Sequence, residues 1–174
     1  LHDALPISYK VLCVCLGNIC RSPTAEIVLR HFCGEASLNV VVDSAGTSNY
    51  HPNKAPDSRS QAHAQKRGYD LSALRARQLR TLDFVEFDLI LAMDKRVLAA
   101  LRPLCPSEYA DRLKPYVTYA LKYTVEGVPD PYYGGSGGFE RVLDLIEDVT
   151  GGLIETLKKR IDRQKNRGAA RAPI

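Results

Sequence analysis

No hydrophobic run in this chain approaches the ~20 residues needed to span a bilayer, and no charged, then apolar, leader with a small-residue cleavage site opens it. The expectation is a cytoplasmic protein with no membrane partner. Cysteine is sparse and irregular: Cys13, Cys15, Cys20, Cys33 and Cys105 form an odd set without the spacing of a secreted disulfide framework. A reducing compartment fits. Internal repeats are absent, and no aromatic residues interleave the basic ones. The net charge of +4 is local, because outside Lys158, Lys159, Arg160, Arg163, Lys165, Arg167, Arg171 and the lone Asp162 there remain 17 basic against 19 acidic residues. A solvated helix end explains that cluster better than a nucleic-acid partner. With 174 residues and 45% hydrophobic content the chain has material for one core. We expect a single domain over residues 8–162 and a monomer, with a basic flexible tail at 163–174. Residues 1–7 show no periodic pattern and read as a non-native or disordered leader.

The most informative stretch is Val11-Leu12-Cys13-Val14-Cys15-Leu16-Gly17-Asn18-Ile19-Cys20-Arg21-Ser22-Pro23-Thr24-Ala25-Glu26. Residues 11–14 read as a buried strand, and Ser22 and Pro23 open a helix with a capping hydroxyl and a first-turn proline. A tight loop between them aims backbone N–H groups into one concavity at the positive end of a helix dipole, which makes an anion seat. A thiol at its entrance, Cys15, is expected to lose its proton readily and act as a nucleophile. Arg21 offers a planar fork matched to two oxygens of a tetrahedral anion, most simply a phosphate monoester. Gly17 permits close backbone approach, Asn18 tolerates a left-handed conformation, and Ser22 can hydrogen-bond the sulfur.

The loop Cys15-Leu16-Gly17-Asn18-Ile19-Cys20-Arg21-Ser22 resembles the active-site loop of the low-molecular-weight protein tyrosine phosphatases. The resemblance extends to Asp43-Ser44-Ala45-Gly46-Thr47, where it implies that Ser44 supports the loop through Asn18. It places Tyr50 on the wall of the substrate cleft, although an exposed loop tyrosine is an equal alternative. At Leu74 many relatives carry a loop-supporting histidine, so one buttress is expected to be missing. Val128-Pro129-Asp130-Pro131-Tyr132-Tyr133-Gly134 is turn chemistry that also resembles the family's general-acid loop. It implies Asp130 as acid, then base, with Tyr132 and Tyr133 walling the cleft. In the family a disulfide between the positions of Cys15 and Cys20 protects the nucleophile, which makes Cys20 a candidate for redox protection.

Further along, strands are expected at 40–42, 89–93 and 116–119, and helices at 58–67, 95–101 and from 139 to 161. Asp57 or Ser58 caps the first of these helices, Asp94 caps the second, and Gly151-Gly152 marks a kink or brief interruption in the third. Alternating strands and helices argue for an α/β fold with a parallel sheet. The resemblance sharpens this to a four-stranded parallel sheet with helices on both faces, flavodoxin-like and of the phosphatase I type.

The implied activity is hydrolysis of phosphotyrosine in a protein partner through a phosphocysteine, with no cofactor and no metal. Two rivals share the loop. An arsenate reductase needs relay cysteines, and after Met93 only Cys105 is available; an arginine phosphatase carries threonine where Ile19 stands. The Cys13-Val14-Cys15 pair lacks the Cys/His partners of a metal site.

Overall fold

The computed structural model describes residues 8–132 and 134–170, with backbone alone at 136, 169 and 170. The expected leader at 1–7, Tyr133 and residues 171–174 lie outside the described residues. Four strands, β1 (Tyr9–Cys15), β2 (Val40–Gly46), β3 (Leu89–Ala92) and β4 (Leu113–Pro115), form one parallel sheet in the order β2-β1-β3-β4. The helices are α1 (Arg21–Glu35), α2 (Ser58–Lys66), α3 (Asp83–Glu86), α4 (Lys95–Leu101) and α5 (Ser136–Ala170). Among the described residues no helix is long and apolar enough to cross a membrane.

The apolar run that reads as a strand is buried on both sides. Val11, Cys13 and Cys15 pack with Val28 and Leu29 of α1 and with Leu143 and Ile146 of α5. Leu12 and Val14 face the other way, against Phe84 of α3 and Val97 and Leu101 of α4. A strand covered on both faces has no polar alternation, which is why β1 and β3 read as continuous hydrophobic segments. The chain leaves β1 to pair β2 on one side and β3 on the other, so a crevice opens beyond the carboxyl end of β1. Cys15, opposite Gly46 in the register, marks that end.

Three local expectations are corrected. The fourth strand is Leu113–Pro115, and Tyr116–Tyr119 is instead a 3-10 turn. Pro115 cannot donate to the ladder, and the chain turns there to bury Tyr116, 1% exposed, in the core. The last helix is continuous through Gly151 and Gly152 and runs on to Ala170, covering 163–170 where a flexible tail was expected. Gly152 has a packing reason: a Cβ there would lie 1.9 Å from the Tyr119 carbonyl oxygen, so only glycine lets the turn press on α5. Finally, α1 starts at Arg21 with Cys20 in the cap position and no side-chain cap, because the Ser22 hydroxyl is engaged elsewhere. Arg67 clamps α2 to α5 by reaching Glu140, Asp144 and Glu147.

Candidate active site

Residues 15–22 wrap the carboxyl end of β1 and lead into α1. Cys15 is 2% exposed, and its Sγ lies 2.9 Å from the Ser22 Oγ and 3.3 Å from the Asn18 amide that donates to it. Asn18 takes φ 57°, in the left-handed region its side chain tolerates. That side chain is the hub of the loop. Its Nδ2 donates to Ser22 Oγ at 2.8 Å and to Ser44 Oγ at 2.9 Å, and its Oδ1 accepts from the Arg77 amide at 3.0 Å. Ser44 in turn donates to Glu26 Oε1 at 2.6 Å. Burial pushes the Glu26 carboxyl up from its ordinary value, against the pull of Ser44 and Arg30. Leu74 is half-buried and adds no polar support, so the Arg77 amide and Ser44 carry the buttressing.

The first turn of α1 has no acidic residue and no side-chain cap, which leaves its positive end for an anion. Arg21 is 3% exposed. Its Nη1 donates to Asp94 Oδ2 at 2.5 Å and to the Val128 carbonyl at 3.1 Å, and its Nη2 lies 3.5 Å from Asp130 Oδ2. Burial opposes the Arg21 charge, but Cys15, Asp94 and Asp130 outweigh it and raise its pKa above the ordinary value.

These groups face one small cleft of about 80 Å³. Cys15, Gly17, Ile19, Cys20 and Arg21 form its floor, and His51, Asp130 and Tyr132 its walls. Leu16 and Tyr50, 44% and 73% exposed, form an apolar rim. The cleft thus offers a sulfur, a guanidinium, a carboxyl and aromatic walls to a single ligand, the groups needed for in-line displacement at an aryl phosphate. Cys20 is buried, and desolvation, with the charges of Asp57 and Asp130, pushes its thiol up to about 12 although Ser60 hydrogen-bonds it. No group of three or more metal-ligating side chains stands together among the described residues.

Two participants have no local sequence signal as site residues. Asp94 caps α4 through Oδ1, as the sequence suggests, and also grips Arg21 through Oδ2. His51, followed in the chain by Pro52 and Asn53, lines the cleft with its ring 6.2 Å from that of Tyr132. Tyr50 lies at the cleft while staying largely exposed.

Known proteins resemble this chain along most of its length. Over 157 residues the chain is 47% identical to the Synechocystis protein slr0328, covering 87% of this chain and 98% of that one. A low molecular weight protein-tyrosine-phosphatase of Streptomyces coelicolor is 40% identical over 162 residues, 90% of this chain and 98% of the relative. The crystal structure of a protein tyrosine phosphatase from Entamoeba histolytica, with Hepes in its active site, superposes with a TM-score of 0.85 at 40% identity. That match covers 87% of this chain and 98% of the other. Residues 10–165 match the low molecular weight phosphotyrosine protein phosphatase family, and with a sulfur, an arginine and a carboxyl gathered at the end of its first strand, the chain belongs to that family.

Proposed function

We propose that this phosphatase hydrolyses phosphotyrosine in protein substrates through a phosphocysteine formed on Cys15. The Cys15 sulfur attacks phosphorus in line while the Arg21 fork and the amides of residues 16–22 hold the equatorial oxygens. Asp130 protonates the departing phenolic oxygen. As a carboxylate it then takes a proton from the water that attacks the phosphocysteine, and the Ser22 hydroxyl hydrogen-bonds the sulfur as it leaves. Tyr50 and Tyr132 stack on the aryl ring. The observation that carries the reading is the convergence of Cys15, Arg21 and Asp130 on one cleft, with Arg21 bridging toward the acid at 3.5 Å.

Hydrolysis is favoured over a redox relay because Cys105 packs with the α3–α4 core on the other side of the sheet, leaving Cys20 as the second thiol of the cleft. Ile19 in the floor favours an aryl phosphate over the threonine-bearing arginine phosphatases. A reducing, cytoplasmic setting suits five cysteines that are all free. The test is turnover of aryl phosphates by wild type, Cys15→Ser and Asp130→Asn. Cys15→Ser is expected to lose activity by roughly 10⁴-fold or more while still binding inorganic phosphate. Asp130→Asn is expected to slow poor leaving groups by ~10²-fold and good ones far less. Undiminished turnover by Cys15→Ser, or equal slowing by Asp130→Asn for every leaving group, refutes the respective role.

A further inference from the structure

We propose that Arg59 is a positioning residue that sets Asp130 against the anion seat by tying the 128–132 loop to the 15–21 loop. This inference rests on the assignment of Asp130 as the acid. The contacts form a closed circuit. The Asp57 amide donates to the Ile19 carbonyl of the anion-seat loop at 2.8 Å. Asp57 Oδ1 caps α2 by accepting from the Arg59 amide at 2.8 Å, so its carboxylate is held in place. Onto that carboxylate the Arg59 side chain lays its fork, Nε at 3.1 Å from Oδ1 and Nη2 at 2.9 Å from Oδ2.

From there Arg59 crosses to the acid loop. Nη2 also donates to the Tyr132 carbonyl at 3.0 Å, and the guanidinium sits 5.5 Å from the Tyr132 ring centroid and 4.9 Å from that of Phe139. The Tyr132 amide donates to Asp130 Oδ1 at 3.0 Å, while Asp130 Oδ2 faces Arg21 at 3.5 Å. Both carboxyl oxygens of the acid are therefore addressed, one from the anion seat directly and one through Tyr132 and Arg59. Since Arg59 is 45% exposed, its ion pair adds little to stability. Proton transfer to a leaving oxygen, in contrast, falls steeply when the donor is displaced by a fraction of an ångström to an ångström. The expected signature is a loss of rate without a loss of fold.

The experiment compares wild type, Arg59→Gln, Arg59→Lys and Asp130→Asn in kcat/KM across aryl phosphates from p-nitrophenyl to phenyl, with inhibition by inorganic phosphate and melting temperature alongside. Both Arg59 variants are expected to lose on the order of 10-fold on phenyl phosphate and under about 2-fold on p-nitrophenyl phosphate. Phosphate inhibition and melting should stay close to wild type. Lysine keeps the charge but not the planar fork, so it should behave like glutamine. A wild-type leaving-group dependence in Arg59→Gln, or its full restoration by lysine, overturns the inference if Asp130→Asn shows the dependence. Its absence in Asp130→Asn instead removes the acid assignment, and the Arg59 inference with it.

Discussion

Arg21 and Asp94, 73 residues apart in sequence, meet at 2.5 Å. The pair aims a buried guanidinium whose other terminus faces Asp130. Asp94→Asn should preserve the cap on α4, since asparagine also caps, while leaving Arg21 with less opposing charge. Expected are a loss of roughly 2–4 kcal/mol in denaturant unfolding and weaker inhibition by inorganic phosphate. Burial disfavours the Asp94 charge, but the Val97 amide and Arg21 outweigh it and hold its carboxyl below the ordinary value of 3.8. A carboxyl depressed in the folded state contributes stability above its unfolded value that is lost as pH falls through the folded one. Stability of the wild type should therefore drop more steeply below about pH 4 than that of Asp94→Asn, read by denaturant titration at several pH values.

Asn18 combines φ 57° with three hydrogen bonds, to Ser22, Ser44 and the Arg77 amide. Asn18→Ala should cost about 3 kcal/mol from those bonds and about 1 kcal/mol more from the left-handed backbone. Asn18→Gly should recover only the second part. Equilibrium unfolding separates the two, and kcat/KM should fall in both because the loop loses its hub.

Two glycines separate stability from catalysis. A Cβ on Gly46 would lie 2.7 Å from the Leu16 carbonyl oxygen and 3.2 Å from the Asn18 amide, so Gly46→Ala should displace the anion seat. One on Gly152 meets the Tyr119 carbonyl far from the cleft. Gly152→Ala should lower the melting temperature by roughly 10 °C or more with near-normal kcat/KM for the fraction that stays folded, whereas Gly46→Ala should lower kcat/KM even where it remains folded.

Cys20 is expected to trap Cys15 after oxidation. The Cys15 sulfenic acid is attacked by the Cys20 sulfur, a disulfide forms and water leaves. Peroxide inactivation of the wild type should be reversed by a dithiol, and that of Cys20→Ser should become irreversible under excess peroxide. Because the Cys20 thiol is pushed up to about 12, chiefly by burial, its reactive thiolate grows with pH across the neutral range. Disulfide formation, followed by thiol counting, should accelerate toward alkaline pH.

What the sequence by itself determined was local. The buried strand into a tight loop into a helix, with Cys15, Asn18 and Arg21 at set spacing, follows from neighbouring residues whose side-chain period and turn chemistry reveal their backbone. The same reasoning misplaced the fourth strand, because Tyr116–Tyr119 has strand-like composition while its conformation answers to Pro115 and to the face of α5. Only the tertiary structure decided that Asp94 grips Arg21, that Arg59 reaches Tyr132 and that Gly152 makes room for Tyr119. Such partners are selected when parallel strands adopt one register and the helices close over them. A window of consecutive residues carries no trace of that choice, since the contacts join segments tens of residues apart.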